Sequence, residues 1–476
     1  MKPALWSKPP FLNVDLMRVA CITICVLLTA GCSLKPDYVR PEAPIPNTYR
    51  NGDGGAASFP SHNDFFRDPV MRTLIDTALK NNRDLRISML HIEKNRAHYG
   101  IQRADILPVI EGGGKASSQL QPADMTVAGR REVARQYSVD LGFSAFELDL
   151  FGRIRSLTEQ TLENHYATEE EAKSARLALT AEVAATYLQL VSDRQRHDLA
   201  AATAANRRKE FALIEEKARA GMASDLEVSQ ARTLVDEARG SLANAAVIIE
   251  QDISALELLL GTSMPGGIPE VRNLSEVVPL PDVPAGLPST LLERRPDILA
   301  AEHVLKGANA NIGAARANFF PRISLTGSFG RLSAEYLDMW DPAQTTWMFL
   351  PQVSLPVFSA GKNIARLKLS EVERDIALAR YEKAIQNAFS EVGKALAQRR
   401  HITVQLETRE SLLTATTRAL RHATARYKEG VSPYTDVLDA ERSFFAAQQG
   451  LLSLRLTREA NALSLYKSLG GGWHTE

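Results

Sequence analysis

Two carboxylates stand closest to a chemical function in this chain. Asp436 and Asp439, in the stretch YTDVLDAE that starts at Tyr434, are three residues apart. On a helix that spacing puts them on roughly one face. Carboxylates repeated around a narrow opening make a ring that repels anions and attracts cations. The competing reading is a helix-surface role, because Asp436 lies near a helix start, where the dipole favours negative charge. Arg426, Lys428 and Arg442 are nearby cations that could support a closed opening. Catalytic patterns are absent from the sequence: it has no P-loop, no GxSxG, no HExxH and no CxxC. The nine histidines are scattered, and His91 and His98, seven apart, lack a third partner for a metal. The expectation is therefore no enzyme, no cofactor and no metal. The 56 basic and 56 acidic residues cancel, whereas a nucleic-acid binder should carry a basic excess.

The aspartates follow a motif that the chain uses twice. KEGVSPYTDVLDAE, from Lys428, echoes RAGMASDLEVSQAR, from Arg219, and Gly221 and Gly430 lie 209 positions apart. Ala231/Ala440, Glu250/Glu459 and Gly261/Gly470 keep that offset. Glycine supplies the left-handed conformation that closes a helix. Ser224 and Ser432 can cap the next helix, and Pro433 suits its first turn. Each motif thus predicts the tip of a helical hairpin. The repeat extends further. Residues 81–114 align with 293–327, pairing Asp84 with Asp297 and Pro108 with Pro321, and LDLFGRIR answers LPVFSAGKNIAR. Between the halves, residues 262–290 hold six prolines, which forbid regular helix and mark a connector.

Each half reads helix-strand-strand-helix-helix. From Arg155 to Ala220 there is no glycine or proline, hence no internal helix stop. Leu179, Val183, Tyr187 and Leu190 recur at helical spacing. A helix over most of that run would be roughly 100 Å long, too long for a globular core. The matching run, Ile364 to Glu429, is interrupted only by Gly393. Strands are expected near 107–118, 136–151, 321–331 and 347–358. Tyr137, Val139, Leu141, Phe143 and Ala145 fall on one face, against Ser138, Asp140, Gly142 and Ser144. Phe349, Val353, Leu355 and Val357 likewise oppose Gln352 and Ser354. Such alternation suits a strand on a soluble core or one in a membrane barrel. Four strands cannot close a barrel, and an open edge in lipid leaves backbone groups unpaired. Membrane-spanning strands would therefore require several copies to share one barrel.

At the N-terminus, Lys2, Lys8 and Arg18 precede the apolar stretch VACITICVLLTAG, which stops at Cys32. That order predicts a secretory signal. LTAGC followed by Ser33 resembles a bacterial lipobox, with Thr29 where leucine is usual. On that reading Cys32 becomes the acylated first residue of the mature chain. Ser33 in the next position fits outer-membrane retention. The alternative is an ordinary signal peptide with a chance cysteine.

Seven segments, in order, carry a resemblance: LTAGCSLKPDYVRP, FFRDPVMRTLIDTALKNNRDLR, LDLFGRIR, LLERRPDILAAEHVL, ANFFPRISLTGSFG, YKEGVSPYTDVLDAER and LYKSLGGGW. Together they resemble bacterial outer-membrane factors of the TolC type, most closely the lipoprotein branch of OprM- and NodT-like channels. One departure is Phe146, where the family often has tryptophan. The resemblance implies a mainly α fold with membrane β: an internally duplicated chain with a long periplasmic α-helical barrel and an outer-membrane β-barrel shared by a homotrimer. It implies a passive exit channel of a tripartite efflux system for small molecules such as drugs and toxic organic compounds. The implied partners are outer-membrane lipid, a periplasmic adaptor and an inner-membrane pump, often proton-driven. The hairpin tips at Gly221, Met222, Gly430 and Val431 would face the adaptor. Asp439, which matches the family's better-known position, and Asp436 would help hold the periplasmic end closed. A type I protein-secretion duct and a poreless periplasmic coiled-coil scaffold lipoprotein are the rivals. The expected plan is a signal peptide at 1–31, a lipid-anchored segment at 32–64, repeats at 65–261 and 291–470 around the 262–290 connector, and a tail at 471–476.

Overall fold

A computed structural model describes residues 33–46, 49, 61–127, 129–265, 273–275, 277–281 and 294–471. The expected signal peptide, Cys32, most of the connector and the tail after residue 471 lie outside the described residues. The helices are α1 (His62–Phe65), α2 (Pro69–Asn81), α3 (Arg83–Ala104), α4 (Arg153–Arg219), α5 (Asp225–Leu260), α6 (Pro296–Ala317), α7 (Lys362–Lys428) and α8 (Tyr434–Ser468). The strands are β1 (Glu111–Gln121), β2 (Glu132–Leu148), β3 (Arg322–Ser333) and β4 (Thr345–Ser354). The duplication holds element by element. α3 and α6 have 22 residues each, α4 and α7 have 67 each, and α5 and α8 have 36 and 35. α7 runs through Gly393 unbroken. One glycine costs a helix about 1 kcal/mol, and buried Val392, Ala395 and Leu396 hold that turn. Among the described residues, no helix is long and apolar enough to cross a membrane.

The chain forms two compact units, each drawing on both halves of the repeat. The first comprises residues up to 41, 93–167 and 301–380. It holds one antiparallel sheet in the order β1-β2-β3-β4. The four expected strands are present with shifted ends. β4 stops at Ser354, so Leu355 and Val357 lie beyond it. The expected face also breaks at Ala145. A bulge shifts the β2–β3 register between Phe143 and Phe146. Ala145 adopts φ 52° there, and its N–H donates to Thr326 Oγ1 at 3.1 Å. A bulge adds unpaired length to one strand, so Phe146, not Ala145, resumes the face and pairs with Leu325.

Residues 34–40 lie along α6 in this unit. Arg316 donates to the Leu34 carbonyl (3.2 Å), Asn309 to that of Pro36 (2.8 Å), and the Tyr38 hydroxyl to Glu302 (3.2 Å). Arg40 pairs with Glu302 as well. From residue 316 back to 302 a helix advances about 21 Å, and six extended residues span about 20 Å. The segment is therefore an extended strap running antiparallel to α6. Gly313 makes room for it: a Cβ there would lie 2.9 Å from Lys35 and 2.6 Å from Ser156 Oγ.

The second unit comprises residues 42–92, 168–300 and 381–476. The stripe anticipated at Leu179, Val183, Tyr187 and Leu190 is buried. Phe65 stacks on Tyr466 with centroids 4.3 Å apart, and Phe66 meets the same ring edge-on at 5.1 Å. Arg295 ties the start of α6 to two long helices. It donates to Asp297 (2.7 Å), to Glu391 of α7 (3.0 Å) and to the Ser468 carbonyl of α8 (2.7 Å).

Candidate functional site

The two hairpin tips repeat one backbone geometry. Gly221 takes φ 75°; its N–H donates to the Ala218 carbonyl (2.9 Å), and that of Met222 reaches back to Lys217 (2.8 Å). Gly430 takes φ 72°, with matching bonds to Tyr427 (3.0 Å) and from Val431 to Arg426 (2.9 Å). A Cβ on either glycine would meet nothing within 4 Å. Backbone conformation, not space, selects glycine here. The returning helices start differently. Ser224 caps α5 in a reciprocal capping box with Glu227. At the second tip Pro433 is the cap, makes no side-chain bond, and α8 starts at Tyr434. This corrects the expected capping by Ser432 and the placing of Pro433 inside the helix. The 209-residue offset maps Ser224 onto Pro433. Ser432 therefore stands one residue too early, and its hydroxyl is buried without a partner. Met222 and Val431 project from the tips, exposed.

Just behind the tips the two hairpins share a core. Ile214 of α4, Ala231 and Leu234 of α5, and Tyr434, Val437 and Leu438 of α8 are buried together, with Leu420, Ala423 and Tyr427 of α7 packed against them. The Lys217 ammonium lies 4.8 Å from the Tyr427 ring centroid, a cation–π contact. Arg207 of α4 pairs with Glu441 of α8, their side chains only 9% and 11% exposed, and approaches Glu210 at 3.5 Å. Burial pulls the Arg207 guanidinium down and pushes the Glu210 carboxyl up. Burial and the adjacent Glu210 raise the Tyr434 hydroxyl to about 12. Arg207 thus faces one carboxylate directly and a second nearby, beside a neutral phenol. Nothing in the spacing flagged Arg207. Glu441 could have been found: it continues the apolar stripe Tyr434, Val437, Leu438 at i+3, where an acid needs a partner.

Asp436 and Asp439 occupy the exposed side of α8, with Asp436 in its first turn. Arg426, Lys428 and Arg442 are exposed too, and among the described residues no ion pair within 4.0 Å joins them to either aspartate. His91 and His98 are both exposed on α3. Among the described residues, no group of three or more His, Cys, Asp or Glu could hold a metal.

The sheet offers the other candidate surface. Leu141, Phe329 and Trp347 align across β2, β3 and β4, all exposed. Val139, Phe349 and Val353 extend that face. Ser138, Asp140, Ser328 and Gln352 lie on the other, interrupted by Met348 and Leu350. β1 and β4 each pair on one side only.

The family model described as outer membrane efflux protein matches residues 74–262 and 287–471. The chain is 42% identical over 463 residues to the probable efflux pump outer membrane protein TtgC of Pseudomonas putida, covering 96% of both chains. It is 44% identical over 457 residues to the solvent efflux pump outer membrane protein SrpC of the same species, covering 94% of this chain and 97% of that one. Among solved structures, it matches the open state of the MtrE outer membrane channel of Neisseria gonorrhoeae with a TM-score of 0.84. That pair is 35% identical, over 93% of this chain and 98% of the other.

Proposed function

The chain belongs to the outer membrane efflux protein family, so it is an outer-membrane efflux component, and we propose that it is the passive, trimeric exit channel of a tripartite pump. The observation that carries this reading is the four-stranded sheet with an apolar face and two unpaired edges. In lipid each unpaired backbone group costs several kcal/mol, so neighbouring copies must close the ring. Three copies of four strands make a barrel of twelve. α3 supports the same reading. None of its 22 residues is buried, and Ile87, Leu90 and Ile101 are exposed. A second copy would cover them.

The strap supports lipid attachment at Cys32. It brings Leu34 to Arg316, next to the end of α6 and six residues before β3 begins. Gly221, Met222, Gly430 and Val431, exposed at the two hairpin tips, would present the surface for a periplasmic adaptor. The adaptor would couple the channel to an inner-membrane, proton-driven pump. SrpC is named for solvent efflux, which favours small apolar organic molecules as cargo over secreted proteins. The apolar sheet face argues against a poreless scaffold.

Asp436 and Asp439 would then ring the periplasmic opening. Asp439→Asn is expected to lower cation preference by about twofold, and Asp439→Ala to raise single-channel conductance as well. Glu373→Ala, at an exposed α7 position, should change neither. Planar-bilayer recording at matched salt reads both quantities. Unchanged selectivity and conductance in both Asp439 variants would return that residue to a helix-surface role. A wild type that never conducts would favour the scaffold.

A further inference from the structure

In the first hairpin two carboxyl groups meet midway along paired helices. Asp193 of α4 lies 28 residues before Gly221 and Asp252 of α5 lies 31 after it, so the antiparallel hairpin brings them level. Asp193 is 2% exposed and well bonded. Gln189 donates to its Oδ2 at 2.5 Å and Arg196 to its Oδ1 at 2.6 Å. Arg196 also donates to Ser453 Oγ of α8 (3.0 Å), which in turn donates to the Gln449 carbonyl (3.0 Å). Asp252 meets the Asp193 side chain, yet its Oδ2 is buried with no donor. One guanidinium therefore serves two carboxyls. If both are ionised they repel; if one is protonated, it donates to the other.

The second hairpin is an internal control. The 209-residue offset maps Gln189, Asp193 and Asp252 onto Gln398, Ile402 and Asn461. Asn461 is buried and donates to the Ala395 carbonyl (2.9 Å) and to Gln398 Oε1 (3.3 Å), while Ile402 is buried and apolar. That site is neutral and bonded without any extra proton. The acid pair thus belongs to the first hairpin alone and is not required by the shared packing plan.

We propose that Asp193 and Asp252 form a proton-operated clasp: a shared proton joins α4 to α5, and its loss lets this part of the first hairpin open more readily. Burial, then the hydrogen bond and charge of Asp193, push the Asp252 carboxyl up to about 6, with Arg196 opposing. Those two residues of α4 are the charged groups that act on it; α8 contributes the uncharged Ser453 through Arg196. α2, which also packs on α5, carries Arg72, Asp76 and, in its last turn, Lys80; the charges of the first two act on His62. The packed hairpin binds the proton more tightly than the opened one. Its stabilisation is therefore full below an aspartate's ordinary range and fades as pH rises through about 6.

Hydrogen exchange in the purified full-length protein tests this, with rates corrected for intrinsic pH dependence. Peptides covering 189–196 and 248–256 should open about tenfold more often at pH 7.5 than at pH 5, because a group titrating near 6 holds its proton about ten to one at pH 5. Peptides covering 398–402 and 457–463 should show no such step. Asp252→Asn, a permanent neutral donor, should remove the step and keep the lower opening at both pH values. If that variant does not fold, Asp193→Asn is read instead. It removes the neighbouring charge but not the burial, and should move the step to lower pH. Absence of the step in the wild type, its persistence in Asp252→Asn, or an unshifted step in Asp193→Asn overturns the proposal.

Discussion

Arg207→Ala is expected to loosen the tip region by about 3–5 kcal/mol, the cost of stranding one partner of a buried ion pair. Glu441 would keep its buried place on α8 without a cation, and Glu210, already pushed up by burial, would lose its nearest positive charge. The damage should centre on the core joining the hairpins, where Ile214, Tyr434 and Leu438 meet. Hydrogen exchange in peptides covering 207–214 and 434–441 should show a hundredfold or greater rise in opening, since each tenfold is about 1.4 kcal/mol. The double variant Arg207→Met, Glu441→Leu separates charge from packing. It replaces the pair with apolar groups against an apolar cluster and should be near neutral. If the double variant opens as much as Arg207→Ala, the loss is one of packing and the ion pair carries no special weight.

Phe329→Arg should block assembly in the outer membrane. Phe329 is 65% exposed, sits near the middle of β3, and is flanked by Leu141 on β2 and Trp347 on β4. An arginine facing lipid near the midplane of a barrel costs about 2–4 kcal/mol. A trimer would carry three of them, about 6–12 kcal/mol in all. The trimer expected in outer-membrane extracts should disappear. Gln352→Arg, on the opposite face of β4, should leave that oligomer intact because its side chain would face water. Equal loss in both variants would mean that the two faces do not differ in environment.

The hairpins were legible because glycine at Gly221 and Gly430 and the long runs without helix breakers encode local geometry. The strands were legible because alternation is local as well. The Ala145 bulge was not: Ser144 and Ala145 are small, and the polar-apolar rhythm passes through them unbroken. The Ser432 error was avoidable, since the 209-residue offset already placed Pro433 opposite Ser224. Asp436 and Asp439 stood out in the sequence by their spacing, and the structure leaves them exposed. Arg207 and Glu441, 234 positions apart, meet only through packing of the two hairpins. No local pattern records that contact. Asp193 and Asp252 are an intermediate case, because counting outward from the tip brings them level without any coordinates.

The trimer with a shared barrel is the claim on which the channel reading stands, and native mass spectrometry of the protein released from outer-membrane lipid tests it most directly. The expected species has three chains, each starting at an acylated Cys32. A stable, folded single chain with its four strands still in lipid would contradict it.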